Sequence, residues 1–215
     1  MPSVFGYWAI RGLAQPIRLL LKYNGEEFED KRYDGHDRTS WTNEKFSLGL
    51  DFPNLPYYID GDKKHIKITQ SNAILRYIGR KYDMCGKTEE EKVIVDILEN
   101  QLMDFRNGFV RLCYNNAAFE ENKPAYIQSA QSSIKAFADF LGQKSYLAGD
   151  NLTFVDFVLY ELLDQHRIFE PSLLDAHPNL KAFLDRFEKL PAIAAYMSSN
   201  EFIKRPINSP IAAFA

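Results

Sequence analysis

Cysteine is scarce. Cys85 and Cys113 are the only two in 215 residues, too few and too ordinarily spaced for a disulfide framework or a zinc site. Both read as reduced, partly buried small hydrophobes. No residue cluster calls for a metal. No apolar run is long and uninterrupted enough to span a bilayer. Neither sign of charge dominates, because 29 acidic and 26 basic side chains leave a net charge of -3, mixed along the chain. Nothing electrostatic therefore favours nucleic acid or an anionic membrane as partner. The first residues, Met1-Pro2-Ser3-Val4-Phe5, run straight into a strand pattern. They lack a basic region, a long apolar core and a small-residue cleavage site, so a cytoplasmic protein is expected. Internal repeats and low-complexity segments are also missing.

What the chain has is apolar and aromatic content, 46% and 14%. At this length that fills one large core or two modest ones. Strand-like composition occurs at residues 3–8 and 27–33, although the second alternates poorly. Between them Pro16 suits an early helical position, Ile17, Leu19, Leu20 and Leu21 follow, and Gly25 supplies a stop. Such a β-α-β unit implies a parallel pair of strands. Residues 57–59 and 66–69 read as two further strands joined by a turn carrying Asp60-Gly61-Asp62, and residues 71–82 as a helix with Ser71 at its N-cap. The order β-α-β-(α)-β-β-α is that of the thioredoxin fold.

After a polar linker strands become scarce. Glu89, Glu90 and Glu91 make an acidic first turn that suits the positive end of a helix dipole. Ile94, Ile97, Leu98, Gln101, Leu102, Phe105, Phe109 and Leu112 then recur at helical spacing, as do Ile127, Ile134, Phe137, Phe140 and Leu141. Thr153 and Asp156 form a capping-box-like start. The residues behind them, 157–163, are apolar almost all round and predict a helix at the centre of a bundle. The expected architecture is an α/β domain over residues 1–83 followed by an all-α domain over 84–215.

Tyr7 puts a phenol hydroxyl at the end of the first strand, and residues 52–58 (FPNLPYY) form a rigid turn feeding another. A hydroxyl, a proline-locked backbone edge and a helix N-terminus are the parts needed to hold a small acidic thiol and ionise it. On its own a strand-end tyrosine reads first as a core residue, Ser71 as a plain helix cap, and Arg38 and Lys45 as solvated charges.

The segments GYW at 6–8, IRGLAQPIRLLL at 10–21, LGLDFPNLPYYIDGD at 48–62, ITQSNAILRYIGRKY at 68–82, TEEEK at 88–92, DILENQ at 96–101, TFVDF at 153–157 and HRIFEP at 166–171 together resemble a cytosolic glutathione S-transferase of the mu class. The likeness covers nearly the whole chain in order. It implies a thioredoxin-like glutathione-binding domain, a helical domain carrying a hydrophobic substrate site, and glutathione as co-substrate with no other cofactor. The implied reaction adds the glutathione thiolate to hydrophobic electrophiles. A carrier of hydrophobic ligands and a glutathione-dependent isomerase use the same scaffold.

The resemblance also implies roles. Tyr7 would donate its hydroxyl to the glutathione sulfur. Lowering a thiol pKa of about 8.5 by about two units takes ~2.7 kcal/mol of preference for the anion. One hydrogen bond to the charged sulfur supplies roughly 1.5–3 kcal/mol, so no general base or metal is needed. Ser71 and Gln70 would receive the γ-glutamyl carboxylate. Asn54, Leu55 and Pro56 would pair with the cysteinyl backbone, with a cis bond before Pro56. Trp41, Lys45 and Arg38 would meet the glycyl end, and Trp8 and Leu13 would line the same site. Asp104, among apolar helix neighbours where a carboxylate needs a partner, would reach the partner's glutathione in a homodimer. The alternative is an ion pair with Arg106 or near Arg111. Phe52 and Arg76 are implied at the dimer interface. Ile10, Leu13, Val110, Tyr114, Asn208 and Ser209 are implied around the electrophile.

The chain also departs from the pattern. The stretch 33–41 is shorter than in vertebrate mu enzymes, which resembles invertebrate and flatworm relatives. The turn 61–67 is longer, with His65 expected to be a solvated loop residue. Asn208 replaces an aromatic found in many relatives.

Overall fold

The computed structural model describes residues 1–215. Four strands form one sheet in the order β2-β1-β3-β4: β1 (Ser3–Trp8), β2 (Phe28–Tyr33), β3 (Tyr57–Ile59) and β4 (Lys67–Thr69). β2 lies parallel to β1, with Tyr7 opposite Arg32. β3 runs antiparallel to β1, and β4 antiparallel to β3. The parallel pair needs a crossover, supplied by α1 (Gln15–Tyr23). Pro16 stands in its first turn and Gly25 ends it at φ +66°, where a side chain would be strained. α2 (Thr39–Glu44) connects β2 to β3, and α3 (Ser71–Lys81) follows β4. β2 and β4 each begin one residue later than their composition predicts, at Phe28 and Lys67.

Five helices follow: α4 (Glu89–Cys113), α5 (Phe119–Leu141), α6 (Phe154–Phe169), α7 (Pro178–Glu188) and α8 (Pro191–Ser198). The Thr88 hydroxyl accepts from the Glu91 amide and caps α4. Asp156 accepts from both the Thr153 amide and its hydroxyl, at 2.8 and 2.9 Å, and so fixes the start of α6. That helix is buried nearly all round and packs against α1, α3, α4 and α7, the central position its composition predicts. Three positions of the predicted stripes do not join the core. Ile97 and Gln101 on α4 and Phe140 on α5 are exposed, because each lies on the outer face of its helix.

Besides Asp156, burying α6 brings two further carboxylates into the core, Glu161 and Asp164, where they require partners. Arg11, three residues beyond the end of β1, donates to Glu161 at 2.9 and 2.6 Å and also to Asp164. This ion cluster ties the loop behind β1 to the helical bundle.

Candidate active site

Tyr7 stands one residue from the end of β1 and is buried. Its oxygen accepts a hydrogen bond from the Leu13 amide at 3.4 Å, and its own proton finds no acceptor in the chain. Burial raises the phenol pKa above its ordinary value, opposed by the nearby Arg106 charge and the Leu13 amide. At neutral pH the hydroxyl is therefore a donor, not a base.

The loop that presents Leu13 is held from several sides. Arg18 donates to the Ile10 carbonyl at 2.8 Å. The Arg11 and Gly12 amides donate to the carbonyls of Pro206 and Ile207, at 3.0 and 2.9 Å. Gly12 itself has φ +43°, a conformation that favours glycine.

Tyr7, Trp8, Ile10, Arg38, Tyr114 and Ser209, with Gly35 and Ile211, line one cavity of about 190 Å³. The Arg38 guanidinium lies 5.9 Å over the Trp8 ring. The Tyr114 oxygen accepts from the Ser209 amide at 2.8 Å, so the tail is joined to α4 beside the cavity. A narrower cleft runs from Gly12 and Leu13 to Ser71, with Arg106 on its α4 wall.

At the start of α3 the reading of Ser71 as N-cap is corrected. Gln70 occupies the cap position with φ +73° and ψ +115°, and Ser71 is the first helical residue. The left-handed turn at Gln70 redirects the chain from β4 into the helix, which carries Ser71 one position inward. The first turn of α3 holds no acidic side chain, so its free amides and dipole suit an approaching anion.

The third segment enters through Leu55–Pro56, which has a cis peptide bond. The Asn54 side-chain oxygen accepts from the Leu55 amide at 2.9 Å. Trp41 is buried, stacked on Tyr57 at 6.1 Å and edge-on to Tyr33 at 5.3 Å. Tyr33 donates to Glu44 at 2.9 Å, which anchors α2. Lys45, just beyond α2, lies over the Phe46 ring at 5.3 Å.

Other expected residues are placed differently. Asn208 is buried and donates to the Phe214 carbonyl at 2.9 Å. It holds the tail rather than lining the cavity, because its short amide is used up by backbone. Asp104 is exposed and pairs with neither Arg106 nor Arg111, so the premise of a carboxylate amid apolar neighbours is corrected: it projects from α4 between the buried Leu102 and Phe105. Val110 is half-buried one helical turn before Tyr114, outside the lining of the open cavity. Phe52 is 77% exposed. Arg76 pairs with Asp96 and Glu99 of the same chain. His65 is an exposed turn residue, as expected.

Sequence reasoning missed Gly12, Gly35, Ile211 and Arg106. Arg106 alone had a readable signal, since it lies four residues before Val110 and eight before Tyr114. The others enter by loop and tail geometry. Burial raises both thiols, Cys113 to about 12. No group of His, Cys, Asp or Glu is arranged to hold a metal ion, and no helix is long and apolar enough to cross a membrane.

Comparisons with known proteins agree along the whole chain. The family models described as the N-terminal and C-terminal domains of glutathione S-transferase match residues 3–80 and 103–200. Glutathione S-transferase Mu 1 of Rattus norvegicus is 52% identical over 220 residues, covering 100% of this chain and 99% of that protein. Glutathione S-transferase Mu 3 of Macaca fuscata fuscata is 56% identical over 214 residues, covering 97% and 93%. Among solved structures, the glutathione S-transferase Blo t 8 aligns with a TM-score of 0.88 at 35% identity, over 97% and 98% of the two chains. The pi-class glutathione S-transferase of Onchocerca volvulus aligns at 0.87 and 32% identity, over 99% and 100%.

Proposed function

This chain belongs to the mu class of the glutathione S-transferase family and is a glutathione transferase, and from that premise we propose that Tyr7 ionises the bound thiol. The Tyr7 oxygen accepts from Leu13, so the hydroxyl proton points to an acceptor that the chain does not supply. A thiolate sulfur completes it. That unfilled donor is the observation that carries the reading. A charge-assisted hydrogen bond in a site with little water is worth enough to hold the sulfur ionised at neutral pH.

The remaining glutathione contacts follow the surface. The first turn of α3, with Ser71 and Gln70, receives the γ-glutamyl carboxylate. The Leu55 backbone, oriented by Asn54 and Pro56, pairs with the cysteinyl unit. Trp8, Leu13, Arg38, Trp41 and Lys45 complete the pocket. The electrophile enters beside Ile10, Tyr114 and Ser209, with Val110 further along α4. Holding both reactants together supplies the second part of the rate enhancement. Phe52, a large apolar side chain left in solvent, inserts into a second copy of the chain, and exposed Asp104 reaches the partner's glutathione. The enzyme then works as a cytoplasmic homodimer with two interdependent sites. The division into residues 1–83 and 84–215 separates glutathione recognition from most of the electrophile wall.

Tyr7→Phe tests the assignment. It should keep glutathione affinity while conjugation at pH 7 falls by about tenfold to a hundredfold, the worth of one hydrogen bond to an anion. Unchanged conjugation would remove Tyr7 from the mechanism.

A further inference from the structure

α2 is a weak helix on its own. It has six residues, no side chain caps its start, and Trp41 alone is buried. A helix this short does not hold itself in water. Its backbone-to-backbone hydrogen bonds run only among residues 38–47, and Glu44 is its one residue that hydrogen-bonds to the sheet. Glu44 stands three positions after Trp41, on the same face. Its carboxylate accepts from Lys31 of β2 and from the Tyr33 hydroxyl, the latter at 2.9 Å. The Tyr33 oxygen also lies 2.9 Å from the Tyr57 hydroxyl. Against the effect of burial, Lys31 and Tyr33 keep the Glu44 carboxyl below its ordinary pKa, so at neutral pH it can only accept. The single Tyr33 proton is therefore committed to Glu44, and Tyr57 must donate to Tyr33. The origin of this chain is fixed too. A Cβ on Gly6 would lie 2.2 Å from the Tyr57 ring, so the ring is seated against the β1 backbone in the space that glycine leaves. Trp41 stacks on the same ring. One hydrogen-bonded relay thus joins β3, β2 and α2.

We propose that Glu44 is a positioning residue for the glycyl end of glutathione: through Tyr33 and Tyr57 it holds α2 against the sheet and so fixes Trp41 and Lys45. The proposal rests on the reading of Trp41 and Lys45 as contacts of that end. Lys45 directly follows Glu44, and its amide donates to the Trp41 carbonyl at 2.8 Å, so both contacts and their anchor share one helical turn. A helix already held in place meets the ligand without a further ordering cost. Without the anchor α2 leaves its docked position, and affinity falls with the docked fraction. The ion pair with Lys31 adds little by itself, because the lysine is about one-third exposed. Thiol ionisation is untouched, since the Tyr7 oxygen takes its contact from Leu13 and not from α2. The consequence is one of specificity. γ-Glutamylcysteine has the same thiol and γ-glutamyl group but lacks the glycine, so the preference for the full tripeptide over this dipeptide depends on Glu44.

The test compares the full-length enzyme with Glu44→Ala, Glu44→Gln and Tyr33→Phe, using glutathione and γ-glutamylcysteine as alternative thiols with one electrophile, 1-chloro-2,4-dinitrobenzene. Glu44→Ala should raise KM for glutathione by about tenfold, while KM for γ-glutamylcysteine and kcat with glutathione stay unchanged. The pH at which bound glutathione ionises should also stay where it was. Glu44→Gln keeps an oxygen for the Tyr33 proton and should recover much of the loss. Tyr33→Phe should match Glu44→Ala, and the double variant should be no worse than either, since both break one bond. Should Glu44→Ala not fold, Tyr33→Phe breaks that bond from the other side. An equal rise in KM for both thiols would overturn the proposal, as would no rise, a fall in kcat, or a full loss in Glu44→Gln. Failure of the glycyl reading shows separately, as equal KM values for the two thiols in the unmodified enzyme. Amide hydrogen exchange judges the anchor in either case. Residues 41–45 should exchange about tenfold faster in Glu44→Ala, and an unchanged rate would overturn the role of Glu44.

Discussion

A Cβ placed on Gly12 would lie 2.9 Å from the hydroxyl oxygen of Tyr7 and 2.8 Å from its ring. The glycine turns at φ +43°, so its backbone closes over the phenol and sets the direction in which that hydroxyl can point. The same turn brings the Leu13 amide to the oxygen. Catalytic geometry here depends on a missing side chain.

Gly12→Ala should therefore act through Tyr7. The alanine costs about 1 kcal/mol in backbone strain and pushes the ring aside. Conjugation should fall by about tenfold or more while the far-ultraviolet circular dichroism spectrum stays unchanged. A fully active alanine variant would show that the phenol has room to move.

Phe52→Ser should loosen the dimer. Burying a phenylalanine contributes roughly 1.5–3 kcal/mol, and a two-fold assembly loses it twice. Sedimentation at nanomolar concentration should show monomers of the serine variant where the parent remains dimeric. Identical sedimentation of the two would place the contact elsewhere.

Asp104→Asn should weaken glutathione use by a few-fold to tenfold, the range for one charged contact, without lowering Tm. Its carboxylate is exposed and has no partner within the chain, so stability has little to lose. A large drop in Tm, with the glutathione KM unchanged, would make the aspartate structural.

Much of this arrangement was legible beforehand. Strand and helix order followed from composition, and the Thr153–Asp156 start of α6 was readable because a capping box is local. Tyr7, Trp8, Ile10, Arg38, Tyr114 and Ser209 do share a cavity. What failed was tertiary. Asn208 was expected to face the electrophile, but which way a tail residue points depends on backbone far away in space. Asp104 and Ile97 sit among apolar neighbours in sequence, yet α4 has an outer face that periodicity alone leaves ambiguous over 25 residues. Ser71 was displaced from the cap by the left-handed Gln70, a conformation that glutamine gives no reason to expect.

Acid should weaken the fold through His166. The ring is buried between Phe105 and Phe109, with Nε2 2.6 Å from the Tyr126 oxygen and Nδ1 2.6 Å from the Leu162 carbonyl. A neutral imidazole satisfies both contacts, and burial lowers its pKa to about 4. The unfolded value is about 6.5. Between these values the unfolded chain binds a proton that the folded chain refuses, so stability is complete above about pH 6.5 and declines as pH falls. Asp156, raised to about 6 by burial, opposes this below pH 6, where the folded chain keeps a proton that the unfolded one releases. The contribution of His166 is therefore read against His166→Gln. The stability advantage of the parent should shrink by about 1–2 kcal/mol between pH 7.5 and pH 5. A constant advantage would mean that the histidine titrates alike in both states.

The most decisive observation is the ultraviolet absorbance of bound glutathione as thiolate, titrated against pH in the parent and in Tyr7→Phe. The parent should ionise its bound thiol about two pH units below the free value of about 8.5, and the phenylalanine variant should return most of the way to it. Glutathione that binds without ionising early, or that ionises alike in both proteins, would contradict the role of the Tyr7 hydroxyl.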